Sequence, residues 1–284
     1  MTFGVLSAGT VPRNRGRFRG PRTKRAMDLV AASVGLVASA PVVLPTIFLV
    51  WRQDRNSPFY IAPRVGKNDV DFRMIKLRSM VVGADSTGVD STSQADMRIT
   101  AVGHFIRRYK LDEVAQLLNV LRGDMSLVGP RPNVRRETDL YTEIERELLS
   151  VKPGITDFAS IVFADEGQIL EGHEDPDIAY NQLIRPGKSL LGLFYIQHRS
   201  LAVDLRICLL TGLAIVSRQR ALRGVSQLIS SLGGSQNLVD LAKRERELEP
   251  SPPPGAAHIV TTRDQSPLEL GSAQEMQGLL AASS

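Results

Sequence analysis

Residues 29–51 form an uncharged apolar run, from Leu29 to Trp51, with Pro41 near its centre and Pro45 beyond it. A run of at least about 18 such residues is long enough to cross a bilayer, and few buried helices of soluble proteins need one. Pro41 removes a backbone donor and crowds the preceding turn, so a straight helix is expected to break or kink at Ala40-Pro41. Arg13, Arg15, Arg17, Arg19, Arg22, Lys24 and Arg25 precede the run, and Arg52, Arg55, Arg64 and Lys67 follow it. Basic flanks favour the cytoplasmic side. Both ends here make the same claim, which a segment that dips into the bilayer and returns would satisfy. An ordinary spanning helix with a kink is the alternative. Ala38-Ser39-Ala40 has the form of a signal-peptide cleavage site, but the basic leader would be too long for an ordinary signal.

The net charge of +5 suits anionic lipid headgroups, phosphorylated substrates or nucleic acid. The lone cysteine, Cys208, excludes an intramolecular disulfide. The chain divides into a basic arm (1–23), the membrane segment (24–52), a working domain (53–222), and a linker with a Pro-, Ser- and Ala-rich tail (223–284) that reads as disordered. Phe59 to Ile61 and Asp71 to Leu77 read as strands around Gly66-Lys67-Asn68-Asp69, and Val81 to Ala95 as a polar loop. Helices are expected over Ala101 to Tyr109, Leu111 to Leu121 (stopped by Gly123) and Thr138 to Leu149. Another is capped by Asp175 and closed by Pro186-Gly187, and Leu201 to Val216 lies in the interface or against the membrane segment.

Asp112 and Glu113 begin a helix directly after Arg107, Arg108 and Lys110. The positive helix end and these cations are expected to lower both carboxylates' pKa. Such a pair suits Mg²⁺ shared with substrate phosphates, and an ionised aspartate can attack phosphorus; acidic residues in a first turn also serve simply as caps. Arg131, held between Pro130 and Pro132, presents a planar fork suited to phosphate. Lys76 and Arg78, two apart on a strand, would share a face. Gly187-Lys188-Ser189 resembles the end of a phosphate loop, but Gln182 stands where its first glycine belongs. The four histidines form no metal spacing, and no nucleic-acid module is visible.

Together these segments resemble the bacterial sugar transferase family, the monotopic polyprenyl-phosphate phosphoglycosyl transferases, in the short form without a polytopic N-terminal extension. The resemblance runs through Lys24-Arg25-Ala26-Met27-Asp28, Phe72 to Met80, Asp96 to Thr100, Leu111 to Leu117, Gly123 to Pro132 and Lys152 to Thr156. It implies a mainly α fold with a small β element, a re-entrant helix-break-helix at Ala40-Pro41, and interfacial amphipathic helices. It further implies a site on the cytoplasmic face of the inner membrane, where a sugar 1-phosphate passes from a nucleotide sugar, usually a UDP-sugar, to polyprenyl phosphate with Mg²⁺. Carried over by position, Asp112 is the nucleophile and Glu113 its partner near the metal. Arg131 would contact the nucleotide, with Lys76, Arg78, Asp96, Arg98 and Arg108 as further substrate-binding candidates. A catalytically inactive scaffold for polysaccharide assembly is the alternative function, and homo-oligomerisation is left open. Ala40-Pro41 replaces a frequent Ser-Pro, Val114-Ala115 a common Leu-Pro, and Thr156-Asp157-Phe158-Ala159-Ser160 departs from a Thr-Gly-x-x-Gln form.

Overall fold

The computed structural model describes residues 21–84 and 96–263. The basic arm before Pro21, most of the polar loop and the last part of the tail lie outside the described residues. Helix α1 (Pro21–Asp54) runs unbroken through Pro41 and Pro45. The break expected at Ala40-Pro41 is therefore not a break in helical structure. Each proline frees one carbonyl, but nearby hydroxyls support the surrounding turns: Thr46 Oγ1 donates to Val42 O at 2.8 Å and Ser39 Oγ to Leu36 O at 3.2 Å. Only 11% of the most apolar window of α1 is buried, and Val30, Val34, Val37, Leu44 and Phe48 stand exposed. An apolar surface of this extent demands a non-aqueous partner.

Both ends of α1 are held. Near its start, Lys24 Nζ pairs with Asp204 at 2.6 Å, and Asp28 accepts from Ser126 Oγ at 2.9 Å and from Leu127 N at 3.2 Å. Arg25 donates to Val120 O and Leu121 O, carbonyls in the last turn of α4 (Leu117–Arg122), where a cation complements the helix end. At its other end Val50 and Ile47 pack with Leu77, Ile106 and Leu111.

Strands β1 (Phe59–Val65) and β2 (Asp71–Leu77) form an antiparallel hairpin with Phe59 opposite Leu77 and Val65 opposite Asp71. Helices α2 (Ala101–Arg108) and α3 (Leu111–Val114) follow, then α4, which Gly123 ends at φ +96°. Thus the single helix expected over Leu111–Leu121 is two short ones. Strand β3 (Ser126–Val128) pairs in parallel with β4 (Gly154–Thr156). Between them lie α5 (Arg135–Asp139) and a 3₁₀ turn at Glu145–Ser150, where one helix was expected. Helices α6 (Phe158–Val162), α7 (Glu166–Ile169) and α8 (Pro176–Ala179) are short; Asp175 caps α8 as expected. Pro186-Gly187 does not close a helix. Both residues lie within α9 (Arg185–His198).

The largest core joins α6 and α9 to α10 (Leu201–Val216), α11 (Arg218–Ser231) and α12 (Gln236–Lys243). Over 223–263 this corrects the reading as linker and tail; the rest of that segment lies outside the described residues. Ala221, Leu222, Val225, Leu228 and Ile229 are buried at helical spacing along α11. The proline-rich stretch then lies along the domain as a strap. Ser251 N donates to Gln182 O at 3.1 Å, Thr142 Oγ1 to Pro254 O at 2.5 Å and Gln182 Nε2 to Val260 O at 2.6 Å. Val260 is itself buried.

Candidate active site

The dyad is set by a backbone turn. Lys110 adopts the left-handed conformation (φ 52°, ψ 31°) between α2 and α3, and its carbonyl accepts from Glu113 N at 3.2 Å. Leu111 turns into the core, and Asp112 and Glu113 occupy the first turn of α3. Lys76 reaches this place from β2, which α4 holds through buried Asn119. The Asn119 Oδ1 accepts from Ile75 N at 2.8 Å, and its Nδ2 donates to Arg73 O at 2.7 Å.

Arg131 arrives from the other side. A Cβ on Gly154 would lie 2.1 Å from Gly129 N, so only glycine lets β4 approach the end of β3 this closely. Gly154 N then donates to Pro130 O at 3.0 Å, fixing the Pro-Arg-Pro turn. From it Arg131 Nη1 reaches Glu113 Oε1 at 2.9 Å. Arg131 also lines a shallow surface depression with Val65, Gly66, Asn133, Tyr141 and Leu148.

The electrostatics separate the two carboxylates. Burial acts to raise the Glu113 pKa, but Arg131, Lys110 and Lys76 outweigh it and hold the group below its ordinary value. Burial raises that of Asp112, with Glu113 adding to the effect, and the pull of Lys76, Arg131 and Arg107 does not cancel it. The expectation that both would be lowered thus fails at Asp112, where desolvation exceeds the attraction of the cations. Burial and the Arg131 charge push Lys76 down to about 8. Glu113 chiefly, with Asp112 and Glu166 behind it, raises Arg131 further. Lys76, Asp112, Glu113 and Arg131 therefore share one field.

Other expected residues divide. Arg78 is engaged elsewhere: its Nη1 and Nη2 meet the two Asp54 oxygens at 2.5 and 2.7 Å, and its Nε donates to Ser57 O. It ties the end of α1 to the hairpin. Asp96 and Arg98 pair with each other at 2.6 Å, and Arg98 Nη1 also donates to Ala84 O. The sequence reading placed Arg108 among the binding candidates, but Arg108 is exposed, its guanidinium 5.7 Å from the centre of the Tyr109 ring. Its neighbour Arg107 faces inward. Burial lowers the Arg107 pKa against the charges of Asp112 and Asp96, and its Nε donates to Ser79 Oγ at 3.1 Å. Helical spacing could have identified it, because Gly103, Ile106 and Arg107 fall at i, i+3 and i+4. Asp157 was also missed as a site neighbour. It is buried, accepts from Ser160 N at 2.7 Å to cap α6, and lies in the fields of Lys188 and Arg131. Lys188, dismissed with its false phosphate loop, pairs with Glu166. Ala40 and Pro41 lie in the middle of α1.

No group of three or more metal-ligating side chains occurs among the described residues. The dyad offers two carboxylates.

A family model described as bacterial sugar transferase matches residues 20–218. The chain is 36% identical over 162 residues to a UDP-N-acetylgalactosamine-undecaprenyl-phosphate N-acetylgalactosaminephosphotransferase of Aeromonas hydrophila, covering 53% of this chain and 38% of that protein. It is 36% identical over 195 residues to an undecaprenyl-phosphate glucose phosphotransferase of Komagataeibacter xylinus, covering 66% and 35%. It is 34% identical over 172 residues to the exopolysaccharide production protein ExoY of Sinorhizobium fredii, covering 55% and 76%. The chain thus spans little more than a third of the length of the first two relatives.

Proposed function

Because this chain belongs to the bacterial sugar transferase family, we propose that it moves a sugar 1-phosphate from a nucleotide sugar, of the UDP type, to polyprenyl phosphate. The reaction would begin assembly of a polysaccharide or glycoconjugate at the cytoplasmic face of the inner membrane. The carrying observation is the shared field of Asp112, Glu113, Lys76 and Arg131, drawn from three separate segments onto the start of α3. The names of the relatives support the acceptor class, since two of them act on undecaprenyl phosphate.

In the first step an ionised Asp112 oxygen attacks the phosphorus that bears the sugar. A phosphorus–oxygen bond breaks, nucleoside monophosphate leaves with the electron pair, and an aspartyl-phosphosugar remains. In the second step an oxygen of polyprenyl phosphate attacks the same phosphorus, releasing the Asp112 carboxylate and forming a diphosphate-linked sugar lipid. Lys76 draws Asp112 toward its ionised form against burial. Arg131, anchored on Glu113, and Lys76 offer positive charge to the donor's diphosphate. Mg²⁺ fits the donor set, because it commonly takes one or two carboxylates together with substrate phosphates. Asp112 has no salt-bridge partner among the described residues and Glu113 gives only Oε1 to Arg131, so these two would hold it. When bound, the ion supplies further compensation of phosphate charge.

The two anchored ends of α1 support a dip rather than a crossing. The Lys24, Arg25 and Asp28 contacts at one end and those of Val50 and Asp54 at the other fall on the same catalytic domain, and between them Ala32 and Thr46 are buried on the inner face while Val30, Val34, Val37, Leu44 and Phe48 stay exposed on the outer one. Asp112→Asn tests the reaction. We expect it to abolish release of nucleoside monophosphate and trapping of a sugar-phosphate adduct on the protein, with membrane association intact. Near-native turnover in this variant would refute the covalent route.

A further inference from the structure

A second basic cluster lies beyond the dyad, partly outside the span matched by the family model. Arg218, first residue of α11, and Arg244, just after α12, converge on one carboxylate, Asp165. The distances are 2.8 Å from Arg218 Nη2 to Oδ1 and 3.3 Å from Arg244 Nη2 to Oδ2. The Arg244 side chain is nine-tenths buried, and its backbone is left-handed at φ 54°. Its guanidinium also lies 5.4 Å from the centre of the Phe163 ring. Neither contact uses all its donors. Arg244 Nε, Arg244 Nη1 and Arg218 Nε are buried without a hydrogen-bond partner among the described residues. Buried guanidinium N–H groups left in this state are costly, and two cations against one carboxylate leave an excess positive charge.

The setting points to the ligand. Arg218 follows directly on the end of α10, whose Leu201, Leu205, Leu209 and Val216 form an exposed apolar stripe at helical spacing. Val216 and Ile215 are 85% and 75% exposed, two and three residues before Arg218. A tetrahedral anion can accept from several guanidinium N–H groups at once.

We propose that Arg218 and Arg244, poised by Asp165, form a phosphate-binding site at the end of α10. The phosphate is carried by a lipid whose chain lies along Leu209, Ile215 and Val216, or is a free phosphate. Asp165 holds the two forks in register and competes with the incoming anion for them. Neither carboxylate of the dyad contributes a contact to this site.

The test is binding of radiolabelled inorganic phosphate to the purified full-length chain in neutral detergent, at constant ionic strength. Arg244→Gln should remove one phosphate per chain, or weaken its binding at least tenfold, while Arg244→Lys retains more of it. Asp165→Asn, which deletes the competing charge, should tighten the same site by about tenfold. That gain separates ligand binding from a structural role and keeps the test decisive should Arg244→Gln fail to fold. Phosphate binding indifferent to Asp165→Asn would overturn the proposal. To separate the sources, dioctanoyl phosphatidic acid and glycerol 3-phosphate are compared as competitors of the label. Tighter binding of the tailed compound, lost in Ile215→Ser/Val216→Ser, supports a lipid phosphate. Equal competition overturns the lipid source and supports a free phosphate at the same arginines.

Discussion

Raising the pH should weaken the site through Lys76. Burial and the adjacent Arg131 charge hold this amine at about 8 against an ordinary 10.5, despite the opposing pull of Asp112 and Glu113. The displacement corresponds to about 3 kcal/mol favouring the neutral form. About nine-tenths of the free protein then carries a charged Lys76 at pH 7, and about one-tenth at pH 9. Since kcat/KM reports ionisations of the free protein, it should fall roughly tenfold between those values. Lys76→Arg keeps its charge throughout and should move the alkaline limb beyond about pH 10. Initial rates of nucleoside monophosphate release, measured in detergent with undecaprenyl phosphate across this range, would show it. Unfolding through Lys76 is not a competing explanation. Its folded pKa lies below the unfolded one, so the unfolded chain binds more protons between about 8 and 10.5, and stability rises with pH across that window. An alkaline limb that Lys76→Arg leaves in place would refute the role assigned to this residue.

Asp204→Ala should lower stability in urea by roughly 3 kcal/mol, because it strands the Lys24 ammonium and removes an acceptor from the Tyr195 hydroxyl, now 2.6 Å away. The paired change Lys24→Met/Asp204→Leu should recover much of that loss, and a single-variant effect below about 1 kcal/mol would count against the anchor. Cysteines introduced at the exposed positions Arg22 and Arg52, in a Cys208→Ser background, should both react with an impermeant thiol reagent added outside inverted vesicles, and neither with the reagent added to intact cells. Labelling of position 52 from outside intact cells would rule out the dip.

Local chemistry made part of this molecule readable. Asp112 and Glu113 at a helix start, the Gly123 stop, the Asp175 cap and the Pro-Arg-Pro turn each carry their signal within a few residues. What escaped depends on distant partners. Lys76 lies on β2, but Arg78 falls just past its end and is claimed by Asp54, 24 residues earlier. The raised pKa of Asp112 reflects burial by segments that meet only in the fold. Arg107 was legible in the helical period but was passed over for Arg108. Polar residues around α11 and prolines after α12 hid a C-terminal region whose apolar positions complete the largest core.

The Lys24–Asp204 pair also bears on biosynthesis. Its two residues are 180 positions apart. At about 5–20 residues per second, a ribosome would make Asp204 roughly ten to forty seconds after Lys24. For that interval the apolar helix lacks the carboxylate that holds its first turn, and it must be kept from self-association by lipid or a chaperone. The order of translation thus favours membrane capture of α1 before the catalytic domain closes upon its base.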